Sequence, residues 1–202
     1  MTATTIRLLL RGAAWPAIIG LSCCAAALGA GGVVLIDDGI GQALLTTAFA
    51  VLAAASAFAL DEPCHTVVDV APTPPAAQTA ARAIATSVPL AVGLALWGAT
   101  RIATPALPVA TVGLALAGNV LLGFAFAVVA RLRQGEPGVR ASSTALLVLI
   151  LPVMYGPLAR HVETFPGTST TTSGISAGTW WWLAGSASLI TIAVAARLTR
   201  VT

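Results

Sequence analysis

Residues 40–60, IGQALLTTAFAVLAAASAFAL, run without one charged side chain and stop at Asp61. Roughly 20 helical residues at about 1.5 Å each cross a hydrocarbon core of about 30 Å, so this stretch has the length of a transmembrane helix. Five more charge-free stretches flank it, at 15–36, 84–100, 102–130, 141–159 and 175–196. Charged residues make up 8% of the 202, and the mean hydropathy is +0.93. A water-soluble domain does not reach such values. Inside a bilayer no water is present to satisfy the backbone, and helices are the open-chain solution. The expected fold class is therefore all-α: one polytopic transmembrane domain over residues 1–202.

The ten cations are all Arg, and they fix an orientation. With the N-terminus inside, Arg7, Arg11, Arg82, Arg131, Arg133, Arg140, Arg197 and Arg200 face the cytoplasm, leaving only Arg101 and Arg160 outside. The positive-inside rule predicts this asymmetry, with both termini cytoplasmic in the plasma membrane. Trp15 falls at the inner end of the first span, and Trp97, Tyr155 and the run Trp180, Trp181, Trp182 near outer ends. Such rings favour the headgroup level, so the triple Trp reads as an interfacial anchor, with a lipid- or drug-binding shelf as the rival reading.

Six spans are expected, at about 15–36, 40–60, 84–100, 106–130, 141–159 and 176–196. The third carries Pro89 and is short, while 102–130 is too long and carries Pro105 and Pro108 near its start. An outer turn over 101–108 resolves both, because Pro fits the first turn of a helix. Residues 4–14 place Ile6, Leu9, Leu10 and Ala13 on one helical face and Arg7 with Arg11 on the other. That pattern predicts a short helix on the inner surface rather than a cleaved leader, since the apolar run continues past Cys24. Cys23 and Cys24 are small apolar fillers, adjacent and pointing about 100° apart.

The sizeable inner loop, 61–83, opens with Asp61, Glu62 and Pro63. Acids and Pro favour a helix start. Cys64, Val67, Val68 and Ala71 then recur at i, i+3, i+4 and i+7, an apolar stripe on a short helix. Pro72 stops it, and Thr73 with Pro74 can start the next helix, which leads through Arg82 into the third span. The stripe reads as a docking surface for a partner; the rival reading is a helix lying on lipid. Three carboxylates, Asp61, Glu62 and Asp69, without a cation in the loop's N-terminal half suit an anionic leaflet poorly. The second inner loop, 131–140, is a tight basic turn, and 160–174 is a Thr-, Ser- and Gly-rich outer cap.

No catalytic, cofactor-binding or metal-binding set is expected. A P-loop needs a Lys, and the chain has none. His65 and His161 lie in loops, which leaves intramembrane serine hydrolysis and paired-His haem ligation without their His. All seven acids lie at span ends or in loops, so no ion relay crosses the bilayer. Asn119, the one amide deep in a span, is a candidate intramembrane polar contact, expected to bond between helices, with substrate contact as the rival reading. Gly113, Gly118 and Gly123 repeat every five residues and would spiral around the fourth helix without marking one partner face.

A surface helix, six spans, a docking helix between spans two and three and an outer cap between five and six resemble the membrane subunit of a type-2 ABC exporter. Leu60-Asp61-Glu62-Pro63 and the later Pro72-Thr73-Pro74 are similar to sequences in small actinobacterial ABC permeases. The layout covers the whole chain, which is more compact than the broader family. The resemblance implies that the first inner loop is a coupling helix for a separate ATP-binding subunit. It also implies that a second permease copy or a homologous permease completes the pathway. Partners are then that subunit, the second permease and the bilayer, with no nucleic acid. ATP hydrolysis belongs to the partner, and the cargo is expected to be hydrophobic or amphiphilic. The alternative is a non-transporting membrane subunit that anchors or assembles another complex.

Overall fold

In the computed structural model, residues 13–36, 39–61, 75–104, 109–131, 138–154 and 176–198 are described, and every regular element among them is helical. Helix α1, Trp15–Val34, begins with Pro in its first turn, where the missing N–H costs nothing. Helix α2, Gly39–Ala57, tightens into a 3-10 turn at Phe58–Leu60 and stops at Asp61, whose extended backbone (φ −71°, ψ 135°) leaves the helical region. Helix α3, Pro75–Ala83, again starts on Pro. It passes through a 3-10 turn at Ile84–Thr86 into α4, Ser87–Ala103. Pro89 explains that turn, because it has no N–H to donate to the Ala85 carbonyl one turn back. Helices α5 (Val109–Arg131), α6 (Gly138–Met154) and α7 (Ala177–Leu198) follow. Ser176 caps α7 by accepting a hydrogen bond from the Thr179 N–H, 3.3 Å.

Among the described residues, four segments are long and apolar enough to cross a membrane: Trp15–Val34, Gly39–Leu60, Thr79–Ala103 and Ala110–Arg131. The third is longer than the 84–100 read from the sequence, because the helix already runs from Pro75. The fifth expected span is a shorter helix of 17 residues, and the sixth is a 22-residue helix diluted by Gly, Ser and Thr. The expected surface helix at 4–14 and docking helix at 64–71 lie outside the described residues.

Helix α2 is the hub, packing against α1, α4, α5 and α6, and α5 in turn carries α7. Every residue from Ala48 to Ala57 is buried, and most are Ala. Phe49, Leu52 and, elsewhere, Ile18, Leu45 and Leu116 fill the gaps between these small residues, while other large apolar side chains point outward: Ile19, Ile40, Leu94, Ile102, Leu147, Trp182, Leu189 and Ile190 are exposed. Large apolar side chains on the outer surface, with many small residues at the contacts, are what a lipid solvent favours. Tails as apolar as Leu give burial no advantage, so backbone proximity and dispersion hold the helices together.

The α2–α5 crossing shows this best. A Cβ on Gly123 would strike the Ala53 carbonyl oxygen and lie 2.5 Å from Ser56 Oγ. Ser56 Oγ sits 2.7 Å from the Ala53 oxygen and 2.9 Å from the Val120 oxygen, so its one proton links α2 to α5. The spiral expected of the α5 glycines is present, and each turn of it serves another helix: Gly113 faces Trp97 of α4, Gly118 faces Trp181 of α7, and Gly123 faces α2. The triple Trp divides its work for the same geometric reason, successive residues pointing about 100° apart. Trp181 is buried against Gly118, Trp180 packs edge-on against it at 6.5 Å between ring centroids, and Trp182 points outward at 67% exposed.

The six long helices alternate in direction. One buried cluster joins Ala13 and Ile18 at the start of α1, Ala57 to Leu60 at the end of α2 and Ala85 before α4. The same cluster takes in Phe124 to Val128 late in α5, Ala141 early in α6 and Ala195 late in α7. Arg82, Arg131, Arg140 and Arg197 belong to this end, and Arg101 to the opposite one.

Candidate functional site

The Arg-rich end holds one polar corner, where α2 gives way to the segment 62–74. Arg82, in the last turn of α3, is fully buried (0% exposed), and its Nη1 donates to the Leu60 carbonyl at 3.2 Å. A guanidinium on the last carbonyls of a helix satisfies a group that has no partner within the helix and faces the negative end of its dipole. Lipid alone could not stabilise that cation. Buried charge is tolerated where hydrogen bonds replace water.

Asp61 is the next residue along. Its N–H donates to the Phe58 carbonyl at 3.1 Å, and its Oδ1 accepts from the Gly138 N–H at 3.1 Å. Gly138 opens α6, so the carboxylate caps the positive end of that helix from another part of the chain. The fit is close: a Cβ on Gly138 would lie 2.7 Å from Asp61 Cγ, Asp61 Oδ2 and Phe58 Cδ1. The chain that leaves α2 is thus fastened to α6 through Asp61, and after running through α3 it is fastened back to the end of α2 through Arg82.

Of the residues singled out for docking, Asp61 stands in this corner, while Glu62, Pro63, Cys64, Val67, Val68 and Ala71 lie outside the described residues. Asn119 is buried at 2% exposed, but its Nδ2 donates to Ala115 of its own helix at 2.8 Å. The polar link between helices at that level is made one residue on, by Ser56 to the Val120 carbonyl. Cys23 and Cys24 are unpaired and exposed on the outside of α1.

Three members of these contacts are not predicted by the sequence pattern: Arg82, expected on a helix entering the third span but not as a buried cation, Gly138, within the tight turn 131–140, and Ser56. Only Gly138 carried a signal, as the Gly after Pro137 at the foot of a span. The corner caps two helices and ties distant parts of the chain together. Among the described residues no three of His, Cys, Asp and Glu gather as a metal site would require. No protein-family model matches this chain, nor does any curated protein or any solved structure.

Proposed function

We propose that the chain is the permease subunit of an ATP-driven type-2 ABC exporter, crossing the plasma membrane six times with both termini inside. In this reading α6 and α7 complete the set of spans. The outward Trp182, Leu183, Leu189, Ile190 and Val194 of α7 suit a lipid-facing helix. The Arg-rich end is cytoplasmic. A separate ATP-binding subunit docks on the segment after Asp61, a second permease completes the pathway, and the cargo is hydrophobic or amphiphilic.

The observation that carries the reading is the doubly fastened corner. A partner pulling on the chain between Asp61 and Arg82 pulls on α2 and α6 together, directly through Asp61 and Gly138 and, by way of α3, through Arg82 and Leu60. The test is co-purification with the ATP-binding subunit. Val67→Asp with Val68→Asp should release that subunit without loss of membrane yield, and the permease alone should hydrolyse no ATP. Unaltered co-purification would leave a lipid-surface helix in its place.

One observation favours the non-transporting anchor: α2, at the bundle centre, is buried along all of Ala48–Ala57 and packs against α1, α4, α5 and α6. A transporter of this build must form its pathway between two copies. Reconstituted vesicles that never move cargo, with the ATPase bound and turning over, would decide for the anchor.

A further inference from the structure

Helices α5, α6 and α7 enclose a groove of about 480 Å³. Leu122, Phe126 and Val129 form one wall, Trp180 and Leu183 the opposite one, and Val148 the third side. The two hydroxyls on it are spent, Ser188 donating to Ala184 at 2.7 Å and Thr191 to Ala187 at 2.8 Å. Water would find no partner here, and an empty apolar cleft would forfeit dispersion contacts along its whole length.

The depth of the groove and the charges beneath it name the occupant. The twelve residues Trp180 to Thr191 rise about 17 Å, close to the depth of one leaflet, half of a core of about 30 Å. The three helices all bring their Arg-bearing ends to the foot of the groove. Arg131 lies two residues beyond Val129, Arg197 six beyond Thr191, and Arg140 eight before Val148. Arg140 and Arg197 are exposed. Guanidinium forks match phosphate oxygens, and a long apolar stem lets the charge reach the headgroup level. The carboxylate among the described residues at this end, Asp61, is already engaged by Gly138.

We propose that this groove is a binding site for an anionic phospholipid of the leaflet on the Arg-rich side. One acyl chain lies along Phe126, Trp180 and Leu183, and the phosphate sits over Arg140, Arg197 and Arg131. The site requires α6 and α7 to lie in the bilayer and does not depend on the permease reading. A guanidinium near the surface strengthens anionic-lipid binding by about fivefold. Losing two should therefore remove a preference of about 25-fold.

The full-length protein, purified in detergent and titrated with phosphatidylglycerol or phosphatidylcholine of equal chain length, is read by native mass spectrometry. One phosphatidylglycerol should be retained per chain, well above phosphatidylcholine. Arg140→Gln with Arg197→Gln, both on the surface, should bring the two lipids level. Ala187→Trp, which fills the groove, should abolish retention of both. Acyl occupancy is checked without a groove-filling change by brominated phosphatidylglycerol. It should quench tryptophan emission in the native protein by more than in Trp180→Phe. An unchanged preference in the arginine pair would overturn the headgroup assignment. Equal quenching in Trp180→Phe, or a dimer that Ala187→Trp converts to monomer with lipid retention intact, would overturn the acyl site.

Discussion

Gly123→Ala is the most severe small change the fold predicts. One methyl group must enter where the Ala53 carbonyl already stands, with Ser56 Oγ at 2.5 Å and the Ala53 carbonyl carbon at 2.6 Å. Ordinary contact needs about 3.4 Å or more, and backbone atoms do not swing aside as a side-chain tip can. Helices α2 and α5 must separate by about 1 Å. Overpacking of this kind costs about 1–3 kcal/mol. The Ser56–Val120 hydrogen bond, worth about 0.6 kcal/mol in a membrane and at most about 1.7, stretches with it. Against this, Ala gains about 0.8–1.0 kcal/mol over Gly in helix propensity. The net loss should be about 0.5–3 kcal/mol. Gly98→Ala is the control, since nothing lies within 4 Å of its added Cβ, and it should be neutral or stabilising. Reversible unfolding in mixed micelles, with denaturing detergent as titrant, measures both. Ser56→Ala in the Gly123→Ala background should cost less than Ser56→Ala alone, because the bond is already weakened. A Gly123→Ala protein as stable as Gly98→Ala would refute the close α2–α5 crossing.

The polar corner makes graded predictions. Arg82→Gln should cost about 1.5–3 kcal/mol in the same assay, the range for a buried hydrogen bond from a charged donor. An effect below 0.5 kcal/mol on that scale would place the Arg82 head group in water. Asp61→Asn retains an acceptor for the Gly138 N–H and should lose only the charge–dipole part, about 0.3–1 kcal/mol, whereas Asp61→Ala should lose about 1–2 kcal/mol. Equal losses would show that the hydrogen bond contributes nothing. For orientation, a Cys23→Ala, Cys24→Ala protein should react with a membrane-impermeant maleimide through Cys64 only after the cells are broken. Labelling on intact cells would invert the protein and remove the docking argument with it.

Charge is legible in one dimension. A bilayer excludes ions from its core wherever the chain crosses, so the gaps between Arg residues already mark the helices, and the Arg asymmetry already implies a side. The alternation that brings Arg82, Arg131, Arg140 and Arg197 to one end follows from the same spacing. Burial is not legible that way. In an apolar helix every face looks alike, and the small-residue signal is present at nearly every position. Thus Gly113, Gly118 and Gly123 could be seen to spiral, but only packing assigns them to α4, α7 and α2. Asn119 drew notice as a lone amide, yet its donor turns back to its own helix, while the unremarked Ser56 reaches across. Arg82 looked like one more inner-loop cation. Its burial depends on the end of α2 arriving beside the end of α3, a meeting of residues 22 apart in sequence. Asp61 and Gly138 are 77 apart, and neither signals the other. Hydrophobicity and charge thus marked the apolar helices and their alternation from the sequence. Which carbonyl needs a guanidinium, and which helix start needs a carboxylate, was decided only when the tertiary structure brought those ends together.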